Sequence, residues 1–217
     1  MTVEQTQHVQ LNKANGQLNE ASIGWSRQPI VACNVRGRFP RKKKWNYWCV
    51  TSPDVLFSAT ISHIDYAAVM FVYVLDLKTL RFYEQTQLVP LGKGVSMPDN
   101  VRESVTYKSK QMEIRMTEEE DQTTLAVVCP NFNGELLKAT LLLDRPSQLE
   151  SLNVVVPWSA KHFQFTSKQP AIPVRGTISW GSKQYEMSPG SAFACLDFGR
   201  GVWPYSSTWN WASASGS

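Results

Sequence analysis

Standard catalytic signatures are missing from this 217-residue chain. It contains no G-x-S-x-G, no P-loop, no G-x-G-x-x-G and no H-E-x-x-H, which removes the usual hydrolase, nucleotide-binding and zinc-protease readings. The fragment LGKGVS, from Leu91 to Ser96, has the wrong spacing for a phosphate loop and reads as a Gly-rich turn. Histidine is scarce at three residues, and His8 falls in a polar N-terminal stretch. A three-histidine metal site is therefore not expected, and no cofactor is. The four cysteines, Cys33, Cys49, Cys129 and Cys195, make no C-x-x-C pair. They are too few for a disulfide scaffold in a chain this long, so free thiols in a reducing compartment are expected. Long apolar runs are absent too. The longest, Tyr66 to Leu75, lies between Asp65 and Asp76 and has about half the length of a membrane-spanning helix. The opening MTVEQTQHVQLNK lacks the apolar core of a signal peptide. Together these absences predict a cytoplasmic protein.

Charge is modest and uneven. Charged residues make up 18% of the chain against 42% hydrophobic, enough apolar content for a real core. The net charge of +4 comes from one place. Six of the 22 basic residues, Arg36, Arg38, Arg41, Lys42, Lys43 and Lys44, crowd into nine positions, and without them acidic residues outnumber basic ones by two. The run continues into Trp45, Tyr47 and Trp48. Interleaved cations and aromatics suit an anionic membrane surface or, less well for a body near neutrality, single-stranded nucleic acid. They equally suit a solvated loop leading into a strand. Nucleic acid is not expected as a partner; weak association with anionic membranes through those six residues is left open.

What the chain has in abundance is alternation. Phe57, Ala59, Ile61 and His63 alternate with polar residues. So do Met112, Ile114 and Met116, then Leu137, Ala139, Leu141 and Leu143, then Phe163 and Phe165, then Val174, Ile178 and Trp180. Period two over many short runs marks half-buried antiparallel strands. Breaks fall where turns are needed: the acidic tip from Glu118 to Gln122, the Asn133-Gly134 dipeptide, and the Pro-containing stretches at Pro53, Pro98 and Pro189. Roughly eleven or twelve strands are predicted, with no amphipathic helix beyond a possible turn at Ser147 to Leu152. The fold class is all-β: an antiparallel barrel-like structure or a curled sandwich. Residues 1–20 read as a polar, loosely held segment and 21–217 as one β domain. The run from Tyr66 to Leu75 is apolar on both faces, so it is expected to be covered on both sides.

Three constellations could carry chemistry. His63 and Asp65 are two apart in a strand-like run, a spacing that would let a carboxylate tune an imidazole base; a partly buried histidine with a hydrogen-bond partner fits as well. His162 reads as a strand-edge surface residue. The densest aromatic group lies from Asp197 to Ser217, with Trp203, Tyr205, Trp209 and Trp211. Such residues either line an apolar pocket with a few polar groups or plug a core. Asp197 and Arg200 would form an ion pair there.

The blocks GWSRQP (Gly24 to Pro29), RKKKWNYW (Arg41 to Trp48), IDYA (Ile64 to Ala67), VVPWSAKHFQFTSKQ (Val155 to Gln169) and DFGRGVWPYSSTWNWASASG (Asp197 to Gly216) resemble those of an uncharacterised bacterial family of domains of unknown function. That family is similar in build to lipocalin-like (calycin) two-lobed proteins that include tocopherol cyclase and carotenoid hydratase. The resemblance implies a twisted β-barrel that grips a large apolar ligand. It also implies a chain that continues past Ser217, so that the barrel here is incomplete on its C-terminal side. Gly201-Val202-Trp203 matches the short lipocalin G-x-W signature. The expected ligand is a lipid or isoprenoid held against Trp158, Arg200, Trp203, Tyr205, Trp209 and Trp211. The alternative is a cofactor-independent cyclase, hydratase or isomerase with Asp197, or the His63–Asp65 pair, as its acid.

Overall fold

A computed structural model describes residues 3–208, 210 and 212–214. The chain runs through β1 (Val9–Gln10), a 3-10 turn at Glu20–Ser22, β2 (Gly24–Ser26), β3 (Val31–Ala32), β4 (Lys42–Thr51), β5 (Val55–His63), β6 (Ala67–Asp76) and β7 (Arg81–Pro90). Then follow β8 (Val105–Lys108), β9 (Glu113–Glu118), β10 (Gln122–Phe132), β11 (Glu135–Asp144), β12 (Leu152–Ser159), β13 (His162–Trp180), β14 (Lys183–Met187) and β15 (Phe193–Val202). Thirteen strands join one sheet, antiparallel at every pairing. The all-β reading is correct, and the strands add to the predicted number mainly through short pieces such as β1 and β3, too brief to show a period. Ser147 to Leu152 holds a turn and the start of β12, with no helix.

The main path runs β7-β6-β5-β4-β15-β13-β11-β10-β9-β8. The 19-residue β13 sits at its bend. Its first half pairs with β15 and β12, its second half with β11 and β14. The register shifts between Gln169 and Ile172, where Ala171 takes φ 57°. A bulge of this kind bends a strand and lets a sheet curl. The curl carries β8 and β9 against β5 and brings the two ends of the path together through side chains. Gln85 Nε2 donates to the Gln111 carbonyl at 3.1 Å and the Ser109 hydroxyl to Gln87 Oε1 at 2.7 Å. The result is a curled sheet closed at that seam by side chains, an incomplete barrel.

Alternation sets two faces. Trp48, Phe57, Ile61, Met70, Val72, Ile114, Leu125, Leu141, Phe163, Phe165 and Phe198 point inward and are buried. Side chains on this face form one continuous core. Leu11 and Leu18, in the segment read as loosely held, are buried in the same core; two leucines suffice to anchor a polar stretch. In β6, Met70, Val72 and Val74 are buried on the inner face, while Val69, Phe71 and Tyr73 on the other face are half-buried. That strand is covered fully on one side and partly on the other. Among the described residues no helix is long and apolar enough to cross a membrane.

Candidate functional site

The outer face of β15, β4, β5, β6 and β7 gathers most of the chain's remaining aromatic and polar chemistry. Tyr47 on β4 and Tyr73 on β6 reach across β5 and share a hydroxyl–hydroxyl bond of 2.7 Å. Phe71 lies 6.4 Å from the Tyr47 ring and 6.2 Å from that of Tyr73, and Phe82 on β7 lies 5.4 Å from Tyr73. Cys49 and Cys195 oppose each other across the β4–β15 ladder. Beneath them, Ser58 and Thr60 on β5 are buried.

Toward the other end of β4 the same face carries an indole cluster. Trp203 lies 5.2 Å from Trp45 and 6.0 Å from Trp158. Trp203 is 1% exposed and Trp158 42%. The strand opposite makes this possible: a Cβ on Gly199 would sit 2.1 Å from the Trp45 ring, so only glycine leaves room for the indole. Trp45 Nε1 donates to Asp197 Oδ1 at 3.0 Å, and Lys168 pairs with the same carboxylate. Tyr205 is 91% exposed and lies under Arg41, 3.5 Å from guanidinium carbon to ring centre. Trp158, Trp203 and Tyr205 are thus placed along one region, while Trp209 and Trp211 lie outside the described residues.

Residues 212–214 cross this face and leave a groove on either side. One, of about 650 Å³, is lined by Trp25, Leu152, Lys168, Pro170, Cys195 and Leu196 among others. The second, of about 660 Å³, is lined by Tyr47, Cys49, Leu56, Tyr73, Phe193 and Cys195 among others. Apolar walls over a floor with a few polar groups are the usual makings of a small-molecule site.

The ion pair expected between Asp197 and Arg200 does not form. The two are three apart in a strand, so they point to opposite faces. Arg200 is fully buried on the inner face. Its guanidinium donates to the carbonyls of Pro98, Trp45 and Gly199 and to Asn46 Oδ1 at 2.7–3.0 Å and rests on the Phe198 ring at 3.7 Å. Burial pulls its pKa down to about 9. The second buried arginine, Arg145, does find a carboxylate, bonding Glu118 at 2.5 and 2.7 Å, Gln169 at 2.8 Å and Thr123 at 2.5 Å.

His63 and Asp65 sit beside an open cleft of about 590 Å³ at the end of the curled sheet. They do not share a strand face: β5 ends at His63, and Asp65 takes φ 75° in the turn that follows. The Asp65 amide donates to His63 Nδ1 at 3.1 Å, while its carboxylate binds Lys42 at 2.9 Å. Gly92 packs on the far side of the imidazole, where a Cβ would lie 2.1 Å from Nε2. Burial, with Lys44 and Lys42 in the same sense and Asp65 opposing, holds the His63 pKa below its ordinary value, so the ring is neutral at neutral pH. The basic run is partly neutralised from within: Arg36 and Lys44 bind Asp99 at 2.6 and 3.0 Å, Lys42 binds Asp65, and Lys43 lies 5.8 Å from the Trp203 ring centre.

Sequence reasoning read Cys49 and Cys195 only as free thiols and gave them no place in a site. Their one signal was position: each stands two residues from another outward residue in its strand, Cys49 from Tyr47 and Cys195 from Asp197. What puts them together is a pairing of strands far apart in sequence.

A curled, nearly closed antiparallel sheet with aromatic grooves on its outer face defines the class of domain. Residues 2–217 match a family described as a domain of unknown function, DUF2804, and the chain belongs to that family. No curated protein matches it. Among solved structures the chain is similar to one named as an AttH from Nitrosomonas europaea, at 12% identity and a TM-score of 0.49, covering 79% of this chain and 57% of that one. It is also similar to kievitone hydratase from Nectria haematococca, at 10% identity and a TM-score of 0.40, covering 74% and 48%. The chain therefore spans about half the length of these solved structures.

Proposed function

We propose that the domain binds a bulky apolar small molecule, a lipid or isoprenoid, on the outer face of the sheet. The observation that carries this reading is the pair of grooves of about 650 and 660 Å³ flanking residues 212–214. Their size suits one such ligand, since small-molecule pockets run from about 300 to 1,000 Å³. Aromatic and aliphatic walls supply the apolar contact, and the Tyr47–Tyr73 hydroxyl pair gives a polar end a partner. Trp158 and Trp203 stand apart from both grooves, in the indole cluster toward the other end of β4. Titration of the full chain with cis-parinaric acid, a fluorescent polyene fatty acid, tests it: saturable binding is expected, displaced by isoprenoids. Tyr73→Ala should weaken it about tenfold, the loss of one good contact. No saturable response across polyene fatty acids, retinoids and carotenoids would overturn the reading.

A second reading, a cofactor-independent cyclase, hydratase or isomerase, is favoured by one placement: Asp197 lies on the outer face beside the indoles that would steady a developing cation. Here Asp197→Asn abolishes turnover and spares affinity, whereas for a simple binder no turnover exists to lose. Association with anionic membranes would run through Arg36, Arg38, Arg41, Lys42, Lys43 and Lys44. It should fade as salt screens it.

A further inference from the structure

Of the four cysteines, Cys33 and Cys129 are fully buried, whereas Cys49 and Cys195 meet at a groove. The two are register partners in adjacent antiparallel strands. Directly opposed residues in such a ladder have Cα atoms about 4.5–5.5 Å apart, inside the span of about 4.4–6.8 Å that a disulfide bridges. Both side chains point outward. Cys49 lines the second groove and Cys195 lines both, so a small solute reaches the pair from solvent. The backbone separation is therefore one that a disulfide can span.

We propose that Cys49 and Cys195 form a reversible dithiol–disulfide pair, with Cys49 as the thiol that attacks a hydroperoxide and Cys195 as the thiol that resolves it. The Cys49 thiolate attacks the terminal peroxide oxygen, the O–O bond breaks, and the leaving oxygen takes a proton to give an alcohol, or water from hydrogen peroxide. Cys49 is then a sulfenic acid. The Cys195 sulfur displaces that hydroxyl, which leaves as water with the Cys195 proton, and the S–S bond closes. Two electrons pass from the two thiols to the peroxide. A dithiol reductant returns the pair to its starting state.

The surroundings divide the roles. The Cys195 thiol donates toward Cys49, and the hydroxyls of Tyr47, Thr51 and Tyr73 add to it, so the Cys49 pKa falls below the ordinary thiol value although burial opposes the shift. The same contact with Cys49 and burial push Cys195 up. Asp197, next outward on β15 and bound by Lys168, is the nearest charged group on that strand. One sulfur is thus favoured as thiolate and its neighbour as thiol, the asymmetry an attacking and resolving pair needs. No bound ligand is required, so the inference stands apart from the groove's apolar occupant.

The test uses the full chain, reduced, freed of reductant and treated with a slight excess of hydrogen peroxide at neutral pH. The expected product is monomeric, lighter by two hydrogens, with two thiols remaining after denaturation and a Cys49–Cys195 link on peptide mapping; dithiothreitol reverses it. Cys195→Ser should stop at the sulfenic acid, trapped by dimedone on Cys49, and Cys49→Ser should slow peroxide consumption about tenfold or more. Persistence of all four thiols, a link through Cys33 or Cys129, or linkage only between chains would each overturn the proposal, and the unmutated chain alone decides among them.

Discussion

The two faces of β4 and β15 are built from the same strands and behave as different materials. Inward, Trp48, Leu196, Phe198 and Val202 pack into a continuous core, and two arginines are buried among such residues. Outward, Tyr47, Cys49, Cys195, Trp45 and Asp197 leave a face that is half-covered, grooved and rich in groups that exchange protons. The two guanidiniums buried there, of Arg145 and Arg200, are each held by several acceptors. Arg145 shows how: Glu118, Thr123 and Gln169 bind its guanidinium, and the Trp48 ring lies 5.1 Å away. Burial there sets stability, and groove chemistry on the other side of the same strands is free to vary.

That contrast is easiest to break at Arg145. Arg145→Ala would leave the buried Glu118 carboxylate with only the Thr123 hydroxyl at 3.1 Å and Arg102 at 3.8 Å, and should cost about 3 kcal/mol, the low end for breaking a buried pair, read as a large drop in the urea midpoint. Replacing Arg145 and Glu118 together by methionines should recover most of the loss, because no buried charge is then left alone. A double variant as unstable as the single one would mean that the network of Thr123 and Gln169, rather than the ion pair, holds this end of the core.

On the outer face the largest effect should come from Gly199→Ala. The new methyl meets the Trp45 ring, which cannot swing away without losing its bond to Asp197 and its contact with Trp203. Overpacking of this kind costs about 1–3 kcal/mol. Tryptophan emission should shift to the red as the indoles are displaced. An unchanged spectrum would show that the cluster is less fixed than its contacts suggest. Tyr47→Phe comes next, at about 1 kcal/mol, since it removes one hydroxyl from a half-buried pair and leaves Tyr73 able to reach solvent.

These differences of scale track what could be read from the chain. Period-two runs such as Met112 to Met116 and Leu137 to Leu143 announce strands because alternation is a local property. The acidic tip after β9 and the Asn133-Gly134 turn were legible for the same reason, Asn133 and Gly134 taking φ 49° and 89°. Non-local facts were not legible. Arg200 was read as a ligand contact and the partner of Asp197, and nothing near Arg145 or Arg200 in sequence says that Glu118 or Pro98 will meet them. His63 is the partly buried histidine with a hydrogen-bond partner that one of its two readings gave, while the shared strand face fails because Asp65 leaves the strand for a left-handed turn. Asp197 and Arg200 misled by parity. Trp203 was legible as a residue that lines a pocket or plugs a core, but which face it covers depends on Gly199 in the preceding strand and on Trp45 across the ladder.

The smallest effect separates rim from core by its sign. Asp76 closes β6 at the rim, where Lys183, then the Thr79 amide, hold its carboxyl below the usual carboxylate range. A depressed folded pKa contributes stability that is present above the unfolded value, here 3.8, and lost as pH falls through the folded one. Glu118 in the core goes the other way: burial outweighs Arg145 and raises its pKa above 4.5. Its contribution is full below that value and declines as pH rises through the folded pKa. The urea midpoint followed from neutral pH downward should therefore gain slightly as Glu118 takes up its proton, then fall below pH 3.8. Asp76→Asn should remove part of the acid-side fall and leave the Glu118 component intact. Because Lys183 is half exposed, solvent screens the Asp76 pair, and its share should not exceed about 1 kcal/mol. A single monotonic decline in both proteins would show that the two carboxylates do not differ as their surroundings require.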